Sequence, residues 1–269
     1  MGWNLWILAI VLVSIIIIGG LFALIYYTSA QVEAQSFSFN PAAFHQSTTF
    51  NAIRISDVDG PVTITSWPQN YFLVNGTLTA KGLGSSLSIF KISNSTVNSV
   101  LILNATFPVN PGFFFSQSYA AAINVFVPNT MRFDKVQVSN VNGAVILHNL
   151  NSTIVSLSTV NGAVSADCLY CLSTKISSAN GDISLTTLYP LNQGNYTLSS
   201  TNSNVALAVP KTSSFTAVVM VENGSVGSIQ VLGLPGATTA EKYLSQSFGT
   251  GTAKVNLSSV NGQITLTGT

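Results

Sequence analysis

The feature that most constrains the fold of this chain is a twelve-residue phrase, VQVSNVNGAVIL at residues 136–147, that recurs along the sequence. Strong copies are VSLSTVNGAVSA (155–166), TKISSANGDISL (174–185) and VNLSSVNGQITL (255–266), with a relative at 53–64 and a weaker copy at 196–207. Hydrophobic and polar residues alternate on both sides of the Asn-Gly pair. This pattern predicts two short β-strands, each with one buried face, joined by a turn.

Aligned on the turn residue, all six copies share a serine three positions earlier and hydrophobic residues four positions earlier and three and five positions later. The turn residues are Asp59, Asn142, Asn161, Asn180, Asn202 and Asn261, and the serines are Ser56, Ser139, Ser158, Ser177, Ser199 and Ser258. Asparagine and glycine tolerate a positive φ, which predicts that the glycine serves the conformation of the turn.

The spacing of the copies distinguishes between two β architectures. Asn142, Asn161 and Asn180 are 19 residues apart, and the later intervals are 22, 21 (to Asn223) and 38 residues, the last being twice 19. A constant period of about 20 residues is typical of a solenoid, in which each coil buries its face against its neighbours. The sequence therefore predicts an all-β domain built as a parallel β-solenoid. An antiparallel β-sandwich, with Asn-Gly as a hairpin turn, is the alternative.

The phrase VPNTMRFDKVQVSNVNGAVIL (127–147) resembles the DUF4097 family of adhesin-like β-repeat proteins. The resemblance covers roughly residues 53–269 and is most specific at 127–207 and 254–266. It implies a cell-surface or membrane-linked β-solenoid module without established catalytic residues, so it assigns no active site. The chain departs from the family pattern in an insertion at about 72–119.

The N-terminal segment predicts a membrane-spanning helix. Residues 5–27 carry no charge, are long enough to cross a bilayer, and have tryptophan at one end and tyrosine at the other. A cleavable signal segment is the alternative, because small residues follow at 28–30. The predicted organisation is an anchor or signal segment at 1–30, a polar stalk or linker at 31–49, and a repeat domain at 50–269.

Composition excludes some partners and favours an exterior location. Only 6% of residues are charged and the formal net charge is +1, so the basic face that nucleic acid requires is missing. His45 and His148 lack the spacing of metal ligands and the acidic residues are scattered, so no metal or cofactor is predicted. A polar surface rich in serine, threonine and asparagine favours placing the C-terminal domain outside the cell.

Cys168 and Cys171 form the sequence C-L-Y-C between two repeats. A thioredoxin-like motif would need a helical context, and a zinc site would need two further ligands. Outside the cell, a disulfide across this loop is the predicted state, with free thiols as the alternative.

Two further groups are candidates for contact or modification. The run Phe113, Phe114 and Phe115 in the insertion predicts either an exposed contact loop or a cap over the open end of the repeat stack. N-glycosylation sequons begin at Asn75, Asn94, Asn104, Asn151, Asn195, Asn223 and Asn256.

The function predicted from the sequence is a single-pass, membrane-anchored surface protein with a non-catalytic role in adhesion or envelope structure. Its partners would be other surface proteins or glycans, and the sequence does not indicate an oligomeric state. One alternative is a secreted filament or pilus-like subunit that donates its stalk strand to a neighbour. Another is a carbohydrate-active enzyme, whose paired carboxylates would have to come from Asp134, Asp167, Asp182 or Glu222.

Overall fold

A computed structural model describes residues 11–23, 32–40, 50–57, 59–82, 87, 91–106, 118–225, 228–236 and 238–269. Residues 11–23 are helical and expose their apolar side chains. No helix within these described ranges has the length and apolar character needed to cross a membrane. The other residues of the segment predicted to span, 5–10 and 24–27, lie outside the described part of the chain.

The rest of the described chain is β-structure. The strands are β1 (Val32–Phe39), β2 (Ala52–Ser56), β3 (Val62–Trp67), β4 (Leu73–Lys81), β5 (Lys91–Val97), β6 (Val100–Thr106), β7 (Ser118–Pro128), β8 (Phe133–Ser139), β9 (Val145–Thr159), β10 (Val164–Ser178), β11 (Ile183–Thr187), β12 (Asn195–Ser200), β13 (Val205–Val209), β14 (Phe215–Val221), β15 (Ile229–Leu232), β16 (Thr239–Ala240), β17 (Tyr243–Phe248), β18 (Ala253–Ser259) and β19 (Ile264–Gly268).

The strands that precede the Asn-Gly turns form one row, which we call the leading row. Its order is β5, β6, β2, β8, the end of β9, the end of β10, β12, β18, β14 and β17. All of its inner pairings are parallel, and only the outermost pairs, β5 with β6 and β14 with β17, are antiparallel.

The strands that follow the turns form a second row, the trailing row. Its order is β1, β4, β7, β3, the start of β9, the start of β10, β11, β13, β19, β15 and β16. The long strands β9 and β10 belong to both rows, because each begins in the trailing row and ends in the leading row.

The register of these pairings places equivalent positions of the repeats side by side. In the leading row Ile176 is level with Leu157 and Leu198, and in the trailing row Val164 is level with Val145 and Ile183. All of these side chains are buried, and the buried residues of both rows form a single hydrophobic core. Along inner strands such as β12 and β18, alternation therefore sends every second residue into this core.

The repeats do not stack in the order in which they occur in the sequence. The last copy inserts β18 between β12 and β14, and β19 between β13 and β15. The turn at Asn261 consequently lies between those at Asn202 and Asn223. The interpretation of the 38-residue interval as two successive periods is wrong, because the final repeat enters a position inside the stack.

Residues of the insertion at 72–119 lie at one end of the stack. They form β4, β5 and β6 and begin β7, which pair outward from β2 and β3. Strand β1 pairs antiparallel with β4 along its whole length, from Val32 opposite Lys81 to Phe39 opposite Val74. This part of the segment assigned to a linker at 31–49 therefore belongs to the sheet. Phe113, Phe114 and Phe115 lie outside the described residues.

Candidate ligand-binding site

The Asn-Gly turns form a column of side-chain amides along one side of the stack. Each amide nitrogen donates to the side-chain oxygen of the preceding turn residue over 2.5–2.8 Å, in the order Asp59, Asn142, Asn161, Asn180, Asn202, Asn261, Asn223. Asp59 is the first residue of the column, and its carboxylate only has to accept a hydrogen bond from Asn142. The side chains of this column form hydrogen bonds with one another, so the column is a structural feature of the turns.

The glycines of these turns are required by the closeness of the backbones. A Cβ built on Gly162 would lie 2.0 Å from the carbonyl oxygen of Gly143, and one on Gly181 would lie 1.9 Å from that of Gly162. Among the turn glycines that follow the aligned residues, Gly60 alone has a positive φ. The expectation that glycine serves the turn's φ therefore fails for Gly143, Gly162, Gly181 and Gly262.

The far side of the stack, where β9 and β10 pass from one row to the other, is irregular. The parallel register between β9 and β10 shifts on both sides of Cys168. Cys168 and Cys171 form a disulfide at this place, with their Cα atoms 5.9 Å apart, as ordinary disulfide geometry requires. Both cysteines are buried, so the disulfide lies within the wall of the domain.

Tyr196 packs beneath the disulfide loop and donates a hydrogen bond from its hydroxyl to the carbonyl oxygen of Cys171. Burial, with a smaller contribution from Tyr170, raises the pKa of Tyr196 from 10.0 to about 12. The phenol therefore stays protonated at neutral pH and serves to hold the loop.

Two adjoining cavities lie over this loop, and we call them together the tyrosine cleft. The larger has a volume of about 350 Å³, and its lining includes Tyr170, Tyr189, Asn192 and Gln193. The smaller has a volume of about 220 Å³ and is lined by Arg132, Asn151, Leu169, Tyr170 and Tyr189. Tyr170 and Tyr189 thus face both cavities. Tyr189 is 56% exposed, which is unusual for so large a ring.

Two buried polar atoms of the lining residues have no hydrogen-bond partner among the described residues. These are Asn151 Oδ1 and the hydroxyl of Thr187, a residue that is only 4% exposed. Buried polar atoms are nearly always paired, so each such atom calls for an explanation. The guanidinium of Arg132 lies 4.6 Å from the centre of the Tyr170 ring, and none of the described carboxylates forms a salt bridge with it.

The acidic residues considered for catalysis are spread over the molecule. Asp167 lies 3.4 Å from His148 Nδ1 on an exposed face. The backbone oxygen of Asp182 accepts from the Val164 nitrogen, which places Asp182 level with Ala163 and about 13 Å along the strand from Asp167. Asp134 lies on β8, and Glu222 lies next to Ser259. Both are away from Asp167 and Asp182. Among the residues that the structure describes, no acidic side chain lines the tyrosine cleft. The described residues contain no group of three or more His, Cys, Asp or Glu side chains placed to hold a metal ion.

The sequons differ in how available their amides are. Asn195 and Asn256 are exposed, whereas Asn223 donates to Asn261 in the amide column and Asn75 accepts from Asn124. Asn104 is half-buried on β6, Asn151 lines the smaller cavity, and Asn94 lies on β5. The exposed positions of Asn195 and Asn256 leave room for a glycan at these two sequons.

Most residues of the tyrosine cleft were not singled out by the sequence analysis, apart from the two cysteines and Asn151. One signal was available. The interval between Asn180 and Asn202 is 22 residues where the two preceding intervals are 19, and the extra residues fall in LYPLNQGN at 188–195. This segment carries Tyr189, Asn192 and Gln193 into the lining of the larger cavity.

No family model matches this chain, and no curated protein is significantly similar to it in sequence, so the resemblance to DUF4097 is not shown. Solved structures provide the likenesses. A "putative cell adhesion protein" from Clostridium sporogenes has a TM-score of 0.49 and 11% identity over 89% of this chain and 100% of its own. A "putative adhesin" from Bacteroides fragilis has a TM-score of 0.31 and 11% identity, over 90% of this chain and 99% of its own. A "putative adhesin" from Parabacteroides merdae has a TM-score of 0.34 and 11% identity, over 89% and 96%. The structural neighbours of this β-rich chain are thus proteins named for adhesion.

Proposed function

We propose that this chain is a non-catalytic, adhesin-like surface protein whose repeat domain is a parallel β-solenoid displayed outside the cell. In this proposal residues 5–27 anchor the protein in the membrane. The observation that carries it is the tyrosine cleft, because tyrosine rings and side-chain amides beside a disulfide form a surface suited to binding, and none of its described lining residues carries a carboxylate.

The disulfide supports the exterior location. Disulfides persist in oxidising compartments and are rare where thiols are kept reduced. The loop between Cys168 and Cys171 is short and both cysteines are buried, so the disulfide braces one local part of the wall.

The solenoid is supported by the strand pairing. Parallel pairs join equivalent positions of repeats in both rows, and antiparallel strands occur at the two ends. A sandwich made of hairpins would instead pair the two strands that flank each Asn-Gly turn with each other.

Non-catalytic action is favoured over hydrolysis of carbohydrate because the candidate acids are dispersed. Glycosidases place two carboxyls about 5–10 Å apart across the scissile bond, whereas Asp167 and Asp182 are separated by about 13 Å of strand. An anchored protein is favoured over a filament subunit because β1 pairs with β4 of its own chain.

Proteolysis of intact cells tests this proposal. The full chain carries an epitope tag after Thr269, joined by a flexible linker, and a cytosolic protein serves as the control for lysis. We expect external protease to remove the tag while the cytosolic control stays intact, and we expect the chain to remain with the membranes after an alkaline wash. A tag that survives until the cells are broken would refute the exterior location, and release of the chain into the medium would refute the anchor.

A further inference from the structure

We infer that the tyrosine cleft binds an acidic glycan, with a pyranose ring packed against Tyr189 and a carboxylated sugar beside Arg132. This inference rests on the proposed function and specifies the ligand class of its site. It is argued from three properties of the cleft: its rings, its unpaired polar atoms and its charge.

The rings supply the surface that a sugar needs. The electron-rich face of a tyrosine attracts the polarised C–H groups on the apolar face of a pyranose, and the ring is rigid, so little conformational entropy is lost on binding. Tyr189 is exposed and Tyr170 is shared by both cavities, so a glycan could extend from one cavity into the other. The volume of the larger cavity, taken by itself, lies in the range of about 300–1,000 Å³ that is common for small-molecule sites.

The polar atoms supply the hydrogen bonds. Sugar hydroxyls donate and accept, and the cleft offers the side-chain amides of Asn192 and Gln193. Asn151 Oδ1 and the Thr187 hydroxyl lack partners among the described residues, and both residues line the cavities. Both atoms are closed to solvent, so each side chain would have to rotate before a ligand hydroxyl could pair with it.

The charge selects among glycans. Arg132 lines the smaller cavity without a partner among the described carboxylates, and none of the described residues that line either cavity is acidic. A guanidinium binds a carboxylate through two parallel hydrogen bonds, which favours uronic-acid-type sugars over neutral ones.

Calorimetric titration of the purified chain, produced in a host that does not N-glycosylate it so that Asn151 stays unmodified, tests the inference. The probes are trigalacturonate, neutral maltotriose, and a tetraglutamate peptide that carries negative charge without pyranose rings. We expect trigalacturonate to bind at least tenfold more tightly than either comparison probe. Equal binding of the peptide would show that charge alone is recognised and would overturn the inference, as would the absence of any binding of trigalacturonate.

Three variants locate the binding. Tyr189→Ala should weaken trigalacturonate binding at least tenfold, and Arg132→Gln should remove the preference over maltotriose. Tyr243→Ala is the matched control, since Tyr243 is 60% exposed on β17, outside the cleft, and it should bind as the unaltered chain does. Unchanged binding by the first two variants, with thermal unfolding curves like that of the unaltered chain, would place the ligand elsewhere.

The two proposals fail separately. Binding of trigalacturonate by a chain that protease cannot reach on intact cells would contradict the surface location alone. An accessible chain that binds none of the probes would contradict the ligand inference alone.

Discussion

Asn161 stands in the middle of the amide column and makes two side-chain hydrogen bonds, one donated to Asn142 and one accepted from Asn180. Asn161→Ala removes both, and we expect it to lower the free energy of unfolding by about 1–2 kcal/mol, measured by urea titration. Asp59→Asn is the control, because it keeps the acceptor at the end of the column and should cost less than about 0.5 kcal/mol. Equal effects of the two substitutions would mean that the column contributes nothing to stability.

Gly162 is the residue at which the stacking distance leaves no room for a side chain. Gly162→Ala would place a methyl group 2.0 Å from the carbonyl oxygen of Gly143, so the two turns must separate. We expect a loss of at least about 2 kcal/mol in thermal or chemical unfolding. Ser203→Ala at the equivalent position of the weaker copy is the control, since that residue already carries a Cβ. A Gly162→Ala variant as stable as the unaltered chain would contradict the close approach of the turns at Gly143 and Gly162.

Tyr196 provides a pH-dependent test of the disulfide wall. Its pKa is raised to about 12, chiefly by burial, so its contribution to stability is complete below pH 10 and is lost as the pH rises towards 12. Tyr196→Phe should cost about 1 kcal/mol at pH 8, through the lost hydrogen bond to Cys171. Between pH 9 and 11 the unaltered chain should lose about 1.3 kcal/mol that the variant does not lose, so the two should be about equally stable near pH 11. A difference that is constant over this range would contradict the burial of the phenol.

The turn glycines also show a limit of what can be predicted from a sequence pattern. The pattern identified the turn asparagines and glycines, and alternation placed residues such as Val145 and Leu157 in the core. The reason for the glycines was misassigned, because a single sequence records a missing Cβ without recording what would collide with it. Gly162 is needed by the neighbouring repeat, and such a contact is visible only once the repeats are stacked.

At the scale of elements, the disulfide closes a loop of four residues between Cys168 and Cys171. The entropy model for so short a loop gives a contribution of about 2 kcal/mol. Replacing both cysteines by alanine should therefore lower the free energy of unfolding by about that amount and leave a cooperative transition. A complete loss of folding would show that the disulfide supports more than the local wall.

The elements of the cleft were harder to predict than the repeats. Strands around the Asn-Gly turns have a strong two-residue period, whereas the segment at 188–195 has none and only lengthens one interval. Its Tyr189 meets Arg132, which lies just before β8, and Asn151, which lies in β9, through pairings of distant strands. Such meetings depend on register, which the sequence pattern alone does not specify.

At the scale of the whole molecule, the inserted final repeat makes a prediction about truncation. Removing residues 250–269 deletes β18 and β19, so β12 and β13 would lose the neighbours that separate them from β14 and β15. We expect this truncated chain to show no cooperative unfolding transition by circular dichroism.

Removal of residues 1–40 is the matched control. It takes away β1, which pairs with β4 alone, and it should leave the transition in place. A synthetic peptide of residues 250–269 should restore the transition to the C-terminally truncated chain. Cooperative unfolding of that chain without the peptide would contradict a central position for β18 and β19.

The position of β18 and β19 also bears on how the protein is made. Ribosomes deliver the N-terminus first, and a stack of repeats in sequence order could consolidate coil by coil as it emerges. Here the gap between β13 and β15 is filled by β19, which is synthesised after both of them. The second half of the domain therefore cannot close until residues 264–268 have left the ribosome, and until that point a nascent chain stays incompletely folded and able to thread through a translocon.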